Sequence, residues 1–528
     1  MASPRAGVAG GANPWAIALT VGLATFMEVL DISIANVALQ HIAGSLSASQ
    51  DEATWVLTSY LVTNAIVLPV SGWLASRIGR KRYFTGCIAG FSLASLVCGL
   101  APSLGMLIIA RGLQGAAGGG LQPNSQAILA DTFPPERRGQ AFAVYGLAVV
   151  FAPAIGPTFG GWITDNFSWR WVFLLNVPIG MALSLLATRM LADPPALIAR
   201  RKARHGAFDY VGFALLVIGM GALQIVLDKG QEDDWFGSSF ITSLSLAAAL
   251  ALVAFVVWEL RRGDPIVDLR LLADRNFAVG NLLMFMLGLA LLATTTLLPL
   301  YVQGLFGYTA TDAGLVISPG GFAVMLTMPV VGYLSGKVDS RILVGLGFAG
   351  TAAALFAMTR FDGAIDYATI AWARVYQSLP LAFLFIPINL TAMAAIPTAK
   401  SNNATAIVNM MRNLGGSFGI SIVTTLIARR EQYHQSVLVE HVTPLSTPYA
   451  ASVHQLQQAY LAHSGSAIDA LHRAQAAIYA MVQKQAALLS FNDAFWAMAV
   501  VLAAMVPLVL LLRKSRSAPG PGNAKGAG

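Results

Sequence analysis

A chain of 528 residues that is 56% hydrophobic and only 11% charged is too apolar for a water-soluble fold, where about a quarter of residues are charged. Its net charge of +8 is not gathered on one soluble basic domain, which excludes a nucleic-acid surface as the reason for the cations. Cys87 and Cys98 stand eleven residues apart on one apolar run, ~16 Å of helical rise, beyond disulfide reach, and the seven histidines show no metal-ligand spacing.

Each apolar run of ~20 residues is long enough to cross ~30 Å of hydrocarbon. Fourteen such spans are expected, at 15–39, 54–75, 83–101, 104–128, 138–164, 171–191, 209–227, 238–260, 278–303, 312–335, 342–359, 367–393, 404–427 and 493–512. The first lacks a cleavage site and reads as a retained helix. With both termini cytoplasmic, 23 of the 33 Lys and Arg fall on the cytoplasmic side, seven on the opposite side and three within spans. That asymmetry follows the positive-inside rule.

In span 1, Glu28 and Asp31 are one turn apart on one helical face, inside the apolar stretch. Ionisable groups there are costly and default to function. Asp31 lies ~24 Å from the cytoplasmic edge, Glu28 about one turn shallower, and Arg111 of span 4 ~12 Å from the outer edge. All three share the outer half of the bilayer. Loss of water favours a neutral carboxyl and a nearby guanidinium favours the carboxylate. An acid balanced between the two can carry a proton, with Arg111 as its partner; a static ion pair between spans 1 and 4 is the alternative.

Span 2 ends Pro-Val-Ser-Gly-Trp-Leu-Ala-Ser-Arg-Ile (69–78), and span 10 ends Pro-Val-Val-Gly-Tyr-Leu-Ser-Gly-Lys-Val (329–338). Such a duplication marks a transporter of two pseudo-equivalent bundles about a central site. The expected division is residues 1–191 for a six-helix bundle, 192–276 for a cytoplasmic linker and inserted spans 7 and 8, 277–512 for a second six-helix bundle, and 513–528 for a disordered cytoplasmic tail. The linker cations Arg200, Arg201, Lys202 and Arg204 suit anionic lipid. In span 5, Gly156 and Gly160 permit close helix approach, and Pro153 and Pro157 permit bending. Asn36, Gln114, Gln122 and Asn124 are substrate-binding or interhelical candidates. Phe26, Met284, Phe285, Met286 and Phe383 are candidates for an apolar lining. Arg374 and Gln377 of span 12 suit an anionic substrate, and Arg412 of span 13 suits gating or structure. The polar stretch 429–489 before span 14 is expected to be helical from 449, with an apolar stripe Leu456, Tyr460, Leu471, Ile478, Val482 and Leu489. A solvated hairpin and a partner-docking element stand equal there.

Five motifs resemble the major facilitator superfamily. Gly72-Trp73-Leu74-Ala75-Ser76-Arg77-Ile78-Gly79-Arg80-Lys81-Arg82 is similar to its loop between helices 2 and 3, with Ser76 where the family usually has Asp. Arg111-Gly112-Leu113-Gln114-Gly115 resembles the helix 4 motif linked to proton coupling. Gly156-Pro157-Thr158-Phe159-Gly160-Gly161 resembles the helix 5 antiporter motif. Leu30-Asp31-Ile32-Ser33 through Leu39, and Trp169-Arg170-Trp171 with Asn176-Val177-Pro178, resemble the fourteen-helix drug:proton antiporter branch. Leu223 to Gly230, Asp234-Trp235-Phe236 and Pro265 to Leu269 resemble its EmrB-like subgroup. The resemblance implies an all-helical major facilitator fold of two six-helix bundles plus two inserted helices. It links Asp31 and Arg111 to proton coupling, which Glu28 joins by its place on the same helical face, and it links Gly72, Arg77, Gly79, Arg80, Gly115, Gly156, Pro157, Gly160 and Gly161 to gating, while Arg412 stands equal between gating and structure. It further implies an inner-membrane exporter of hydrophobic or amphipathic compounds, with an EmrA-type periplasmic adaptor and a TolC-type outer-membrane channel.

No phosphate-cradling loop, metal cluster or nucleophile–base pattern is evident, so no enzyme activity, metal or cofactor is expected. A proton-coupled uptake carrier and a non-transporting membrane scaffold or sensor are the competing functions.

Overall fold

The computed structural model describes residues 13–193, 198, 209–397, 400–443, 445–464 and 466–512. The linker cations Arg200, Arg201, Lys202 and Arg204 and the tail from 513 lie outside the described residues. The chain runs α1 (Pro14–Ser45), α2 (Gln50–Ile78), α3 (Arg80–Leu100), α4 (Leu104–Gly118), α5 (Leu121–Thr132), α6 (Pro135–Asn166), α7 (Trp171–Leu174) and α8 (Asn176–Met190). It continues through α9 (Tyr210–Lys229), α10 (Ser239–Arg261), α11 (Arg275–Phe306), α12 (Ala310–Leu334), α13 (Ser340–Met358), α14 (Tyr367–Met393), α15 (Ser401–Val439), α16 (Thr447–Ser464) and α17 (Ala467–Leu508). Among the described residues, eleven helices are long and apolar enough to cross a membrane, or twelve with α6 taken as one span bent by 48°. Pro153 stands at that bend, where it removes a backbone donor.

Two expected spans fall outside that set and have local reasons. Span 4 is split into α4 and α5 at Gly119–Gly120, where Gly120 is pressed against Tyr83 and Cys87 so closely that a side chain has no room. Span 13 is α15, whose membrane portion carries the buried polar residues Asn402, Asn409 and Arg412. Both cysteines are buried free thiols.

The duplicated helix ends extend into a duplicated helix. Ser49 begins α2 with a capping box to Glu52, and Thr309 begins α12 with the same box to Asp312. Each pair satisfies two otherwise open backbone donors. Pro69 lies inside α2 and Pro329 inside α12. Caps, prolines and terminal glycines all stand 260 residues apart. At the basic end, Gly72 of α2 touches Asn402 and Asn403 of α15, while Gly332 of α12 touches Gly139 of α6. The two copies thus meet opposite partners along one seam. The pair α9–α10 attaches beside it: α9 packs on α2 and α15, and Gln224 accepts a hydrogen bond from Ser417 at 3.1 Å.

The stretch expected as an outer loop is mostly regular helix. α15 continues to Val439 and α17 starts at Ala467, with α16 laid against α17. Ala470, Ala474, Ile478 and Val482 form its buried stripe at a spacing of four, whereas Leu456, Tyr460, Leu471 and Leu489 are half-buried. Arg430 and His434 of α15 both contact Asp493 of α17, at 2.6 and 2.8 Å.

Close glycine contacts hold these helices, since apolar burial does not drive association within lipid. A Cβ at Gly415 would strike the backbone carbonyl of Phe285 on α11, which cannot yield as a side chain can. Gly415→Ala is expected to cost about 1–3 kcal/mol and to lower the melting temperature in detergent. Gly345→Ala, with nothing within 4 Å, is expected to leave it unchanged.

Candidate functional site

Asp31 and Arg111 meet inside the amino-terminal helices. Arg111 Nη1 donates to Asp31 Oδ2 at 2.6 Å, and both side chains are fully buried. Asp31 Oδ1 accepts from Gln114 Nε2 at 3.0 Å and from Asn176 Nδ2 at 2.7 Å. Arg111 also donates to Gln114 Oε1 at 2.8 Å and, through Nε, to the carbonyl of Val56 at 3.2 Å. Ser95 accepts from Gln114 and Asn176 and donates to the Phe173 carbonyl. The guanidinium lies 4.4 Å from the Tyr60 ring centroid. Groups from α1, α2, α3, α4 and α8 therefore surround one ion pair, and both carboxylate oxygens are engaged. Breaking such a pair leaves an uncompensated buried charge.

Glu28 sits in a different setting from its neighbour. Its Oε1 accepts from Asn64 Nδ2 at 3.3 Å and Gln122 Nε2 at 3.2 Å. Its Oε2 has no partner among the described residues, and the side chain is buried. Gln122 in turn accepts from Arg412 of α15. One side-chain amide thus connects the acid of α1 to a cation that lies 290 residues beyond the amide itself. Alongside, Gln126 and Asn409 exchange amide hydrogen bonds at 3.0 and 3.3 Å, and Tyr145 donates to Asn409 at 3.4 Å. These contacts form a polar strip across the seam between α5–α6 and α15. Arg412 Nη1 lacks a partner among the described residues.

Arg80 closes the seam at its basic end. It pairs with Asp131 of α5 at 2.5 Å and donates to Asn402 Oδ1 at 2.6 Å and Ser401 Oγ at 3.3 Å. Where the loop motif has Ser76 in place of an acid, the Ser76 hydroxyl donates to the carbonyl of Trp73 at 2.7 Å, and the carboxylate facing Arg80 comes from Asp131. Gly79, between α2 and α3, has φ 102°, a conformation that favours glycine. Arg77 is exposed, with its guanidinium 5.3 Å from the Trp73 centroid.

The other expected residues divide between packing and surface. Gly115 abuts Tyr60 and Thr63 of α2; Gly156 and Gly160 abut Ser33 and Ile34 of α1; Gly161 faces Thr311 of α12; Pro157 lies within α6. Asn124 bonds the Gly120 carbonyl at 2.6 Å. Phe26 is half-buried in a cluster with Leu30 and Ile34, and Asn36 is exposed. Arg374 and Gln377 are buried together on α14, beside Thr294 of α11. Sequence reasoning did not single out Asn64, Ser95, Asn176, Asp131, Gln126 or Asn409 for a role. Asn176 stood in a quoted motif, yet its spacing from Asp31 gives no hint that the two touch.

A family model described as Major Facilitator Superfamily matches residues 21–420. The chain is 39% identical to the multidrug export protein EmrB of Haemophilus influenzae, covering 91% of this chain and 92% of that protein. It is 37% identical to the fatty acid resistance protein FarB of Neisseria gonorrhoeae, covering 97% and 99%. Its fold is similar to that of the proton:xylose symporter XylE, with a TM-score of 0.58 at 13% identity over 95% of this chain and 99% of that one.

If the Asp31–Arg111 pair holds α1 to α4, removing both members should cost less than the two single removals added together. Asp31→Asn and Arg111→Gln are each expected to cost about 3–5 kcal/mol, and the double variant distinctly less than their sum. A double-mutant cycle of melting in detergent reads this; additive losses would mean that the pair does not act as a unit.

Proposed function

The chain belongs to the Major Facilitator Superfamily and is a multi-pass membrane protein, and from that premise we propose that it exports hydrophobic or amphipathic toxic compounds by proton antiport. The observation that carries this reading is the link from Glu28 through Gln122 to Arg412. It sets an acid of the amino-terminal bundle in register with a cation of the carboxy-terminal bundle, at membrane depth. The similarity to multidrug exporters over nearly the whole chain supports the direction and the kind of cargo.

The two acids divide the work. Asp31 is held by a cation and two amides, so proton exchange there breaks an ion pair. Among the described residues Glu28 accepts hydrogen bonds only from neutral amides and its Oε2 has no partner, so exchange there breaks no direct ion pair. Glu28 is therefore the proton carrier, and Asp31–Arg111 is the post that holds α1 and α4 as the bundles rock. In the outward state a proton from outside reaches Glu28, loosens Gln122 from its pull towards Arg412 and lets the seam reseal on the outer side. Release of the proton inward restores the bridge as cargo enters from the cytoplasm or inner leaflet. Arg80, Gly72 and the Asn402–Asn403 end of α15 act as the inner gate. Each proton moving down a 100 mV potential supplies ~2.3 kcal/mol, so one or two support a useful gradient.

We place the chain in the inner membrane with both termini cytoplasmic, so that the helical hairpin of α15, α16 and α17 projects outward. There it is the surface available to an EmrA-type adaptor leading to a TolC-type channel. A cysteine at Ser452 of α16 is expected to react with a membrane-impermeant maleimide from the outside of spheroplasts; labelling only after lysis would invert the topology.

In proteoliposomes, Glu28→Gln is expected to abolish proton movement induced by an exported dye while leaving dye binding within a few-fold of wild type. Retained coupling in Glu28→Gln together with lost coupling in Asp31→Asn would move the proton to Asp31.

A further inference from the structure

The buried ion pair of the amino-terminal helices has a counterpart in the carboxy-terminal helices that lacks its acid. Arg111, Gln114 and Asp31 correspond, each 263 residues on, to Arg374, Gln377 and Thr294. The hydrogen bonds repeat one for one. Arg111 Nη1 donates to Gln114 Oε1 and to Asp31, and Arg374 Nη1 donates to Gln377 Oε1 at 2.5 Å and to Thr294 Oγ1 at 3.5 Å. Gln114 Nε2 donates to Asp31 at 3.0 Å, and Gln377 Nε2 donates to Thr294 Oγ1 at 3.1 Å. The same three-residue frame is built twice, with a carboxylate in one and a hydroxyl in the other.

That exchange leaves a charge unbalanced. Arg374 is 4% exposed, and among the described residues no carboxylate oxygen lies within 4.0 Å of it. Nη2 donates to the neutral Thr295 Oγ1 at 3.4 Å, and among the described residues Nε has no partner. Gly320 of α12 lies directly against the Arg374 stem, where a side chain would collide with it and with Ser378. A guanidinium stays charged at any accessible pH, so the frame cannot relieve its cost by losing a proton. In hydrocarbon an unpaired cation is expensive, and an anion is what the vacated acid position calls for.

We propose that Arg374, Thr294 and Gln377 form a monoanion-binding site, occupied in the transport cycle by the carboxylate of an amphipathic cargo. The cargo's head group supplies the negative charge that Asp31 supplies in the other frame, held by the unpartnered Arg374 Nε beside the Thr294 hydroxyl. Arg374 and Gln377 both present N–H donors, and the Thr294 hydroxyl can turn to donate as well. The identification of the anion as cargo rests on the export reading above; the site itself does not, since binding can be read without transport.

The test uses the purified full chain in detergent, with fluorescent 1-naphthoate as probe and 1-naphthamide as its neutral isostere. Arg374→Gln removes the cation, and Thr294→Asp supplies the missing acid, so the second variant keeps the frame balanced should the first fold poorly. Naphthoate binding is expected to weaken about ten- to a hundredfold in both variants, the range for a lost charge-assisted hydrogen bond, with naphthamide binding unchanged. Chloride, varied against sulfate at fixed ionic strength, separates the two sources of a monoanion. Displacement of naphthoate by chloride assigns the site to small inorganic anions, and resistance to chloride assigns it to a carboxylate on a larger body. Naphthoate binding and chloride-dependent melting that are both indifferent to Arg374→Gln and Thr294→Asp would overturn the site. Anion binding that survives while Glu28→Gln leaves proton movement intact would overturn the coupling assignment alone.

Discussion

A permanent positive charge buried at membrane depth must find its counterparts within the protein, and Arg111 sets that demand. Its guanidinium cannot shed its proton, so the surrounding helices supply a carboxylate, an amide oxygen, a backbone carbonyl and an aromatic face. Those groups come from α1, α2 and α4, and the acid they hold draws in Asn176 of α8 and, through Ser95, α3. Satisfying one cation thereby fixes the relative rotation of five helices. The same requirement explains why Gln114 is shared between acid and base: it donates to one and accepts from the other, and no polar atom of its amide is wasted.

Against that fixed frame, the seam between the duplicated units is built from weaker and more reversible contacts. Glycines let α2 approach α15 and α6 approach α12 at backbone distance. Amide pairs such as Gln126 with Asn409 cross the seam without ion pairing. Neutral amide bonds exchange partners at little net cost. Guanidinium groups cross it at two places: Arg412 meets Gln122 at membrane depth, and at the basic end Arg80 touches both Asp131 and Asn402. A rigid interior and an exchangeable boundary are what a rocking transporter needs, and here they are made from different chemistry.

How much of this was legible beforehand depended on whether the information was local. Span positions were readable because each is a continuous apolar stretch, and α14 (Tyr367–Met393) coincides with its expected limits. The meeting of Asp31 with Arg111 was also readable, because two opposite charges at equal depth in hydrocarbon have few other ways to be satisfied. Asn176 and Ser95 were not, since an amide or hydroxyl in a span looks alike whether it binds an acid or its own helix. The break at Gly119–Gly120 escaped notice because the cause is remote: Tyr83 and Cys87 crowd the backbone from another helix. The capping boxes at Ser49 and Thr309 lay in plain view, yet they gain meaning only once the 260-residue offset is applied to helix beginnings as well as ends.

The unbroken length of α17 has a mechanical consequence. Its 42 residues make a rod of ~63 Å, about twice the thickness of the hydrocarbon it crosses. It packs along α15, where Arg430 and His434 both reach Asp493, so the two helices tilt together. A tilt of roughly ten degrees at the membrane would sweep its far tip by about 6 Å. The protein thus carries a built-in pointer, by which a movement too small to see among packed side chains becomes a displacement large enough for a neighbouring molecule to feel.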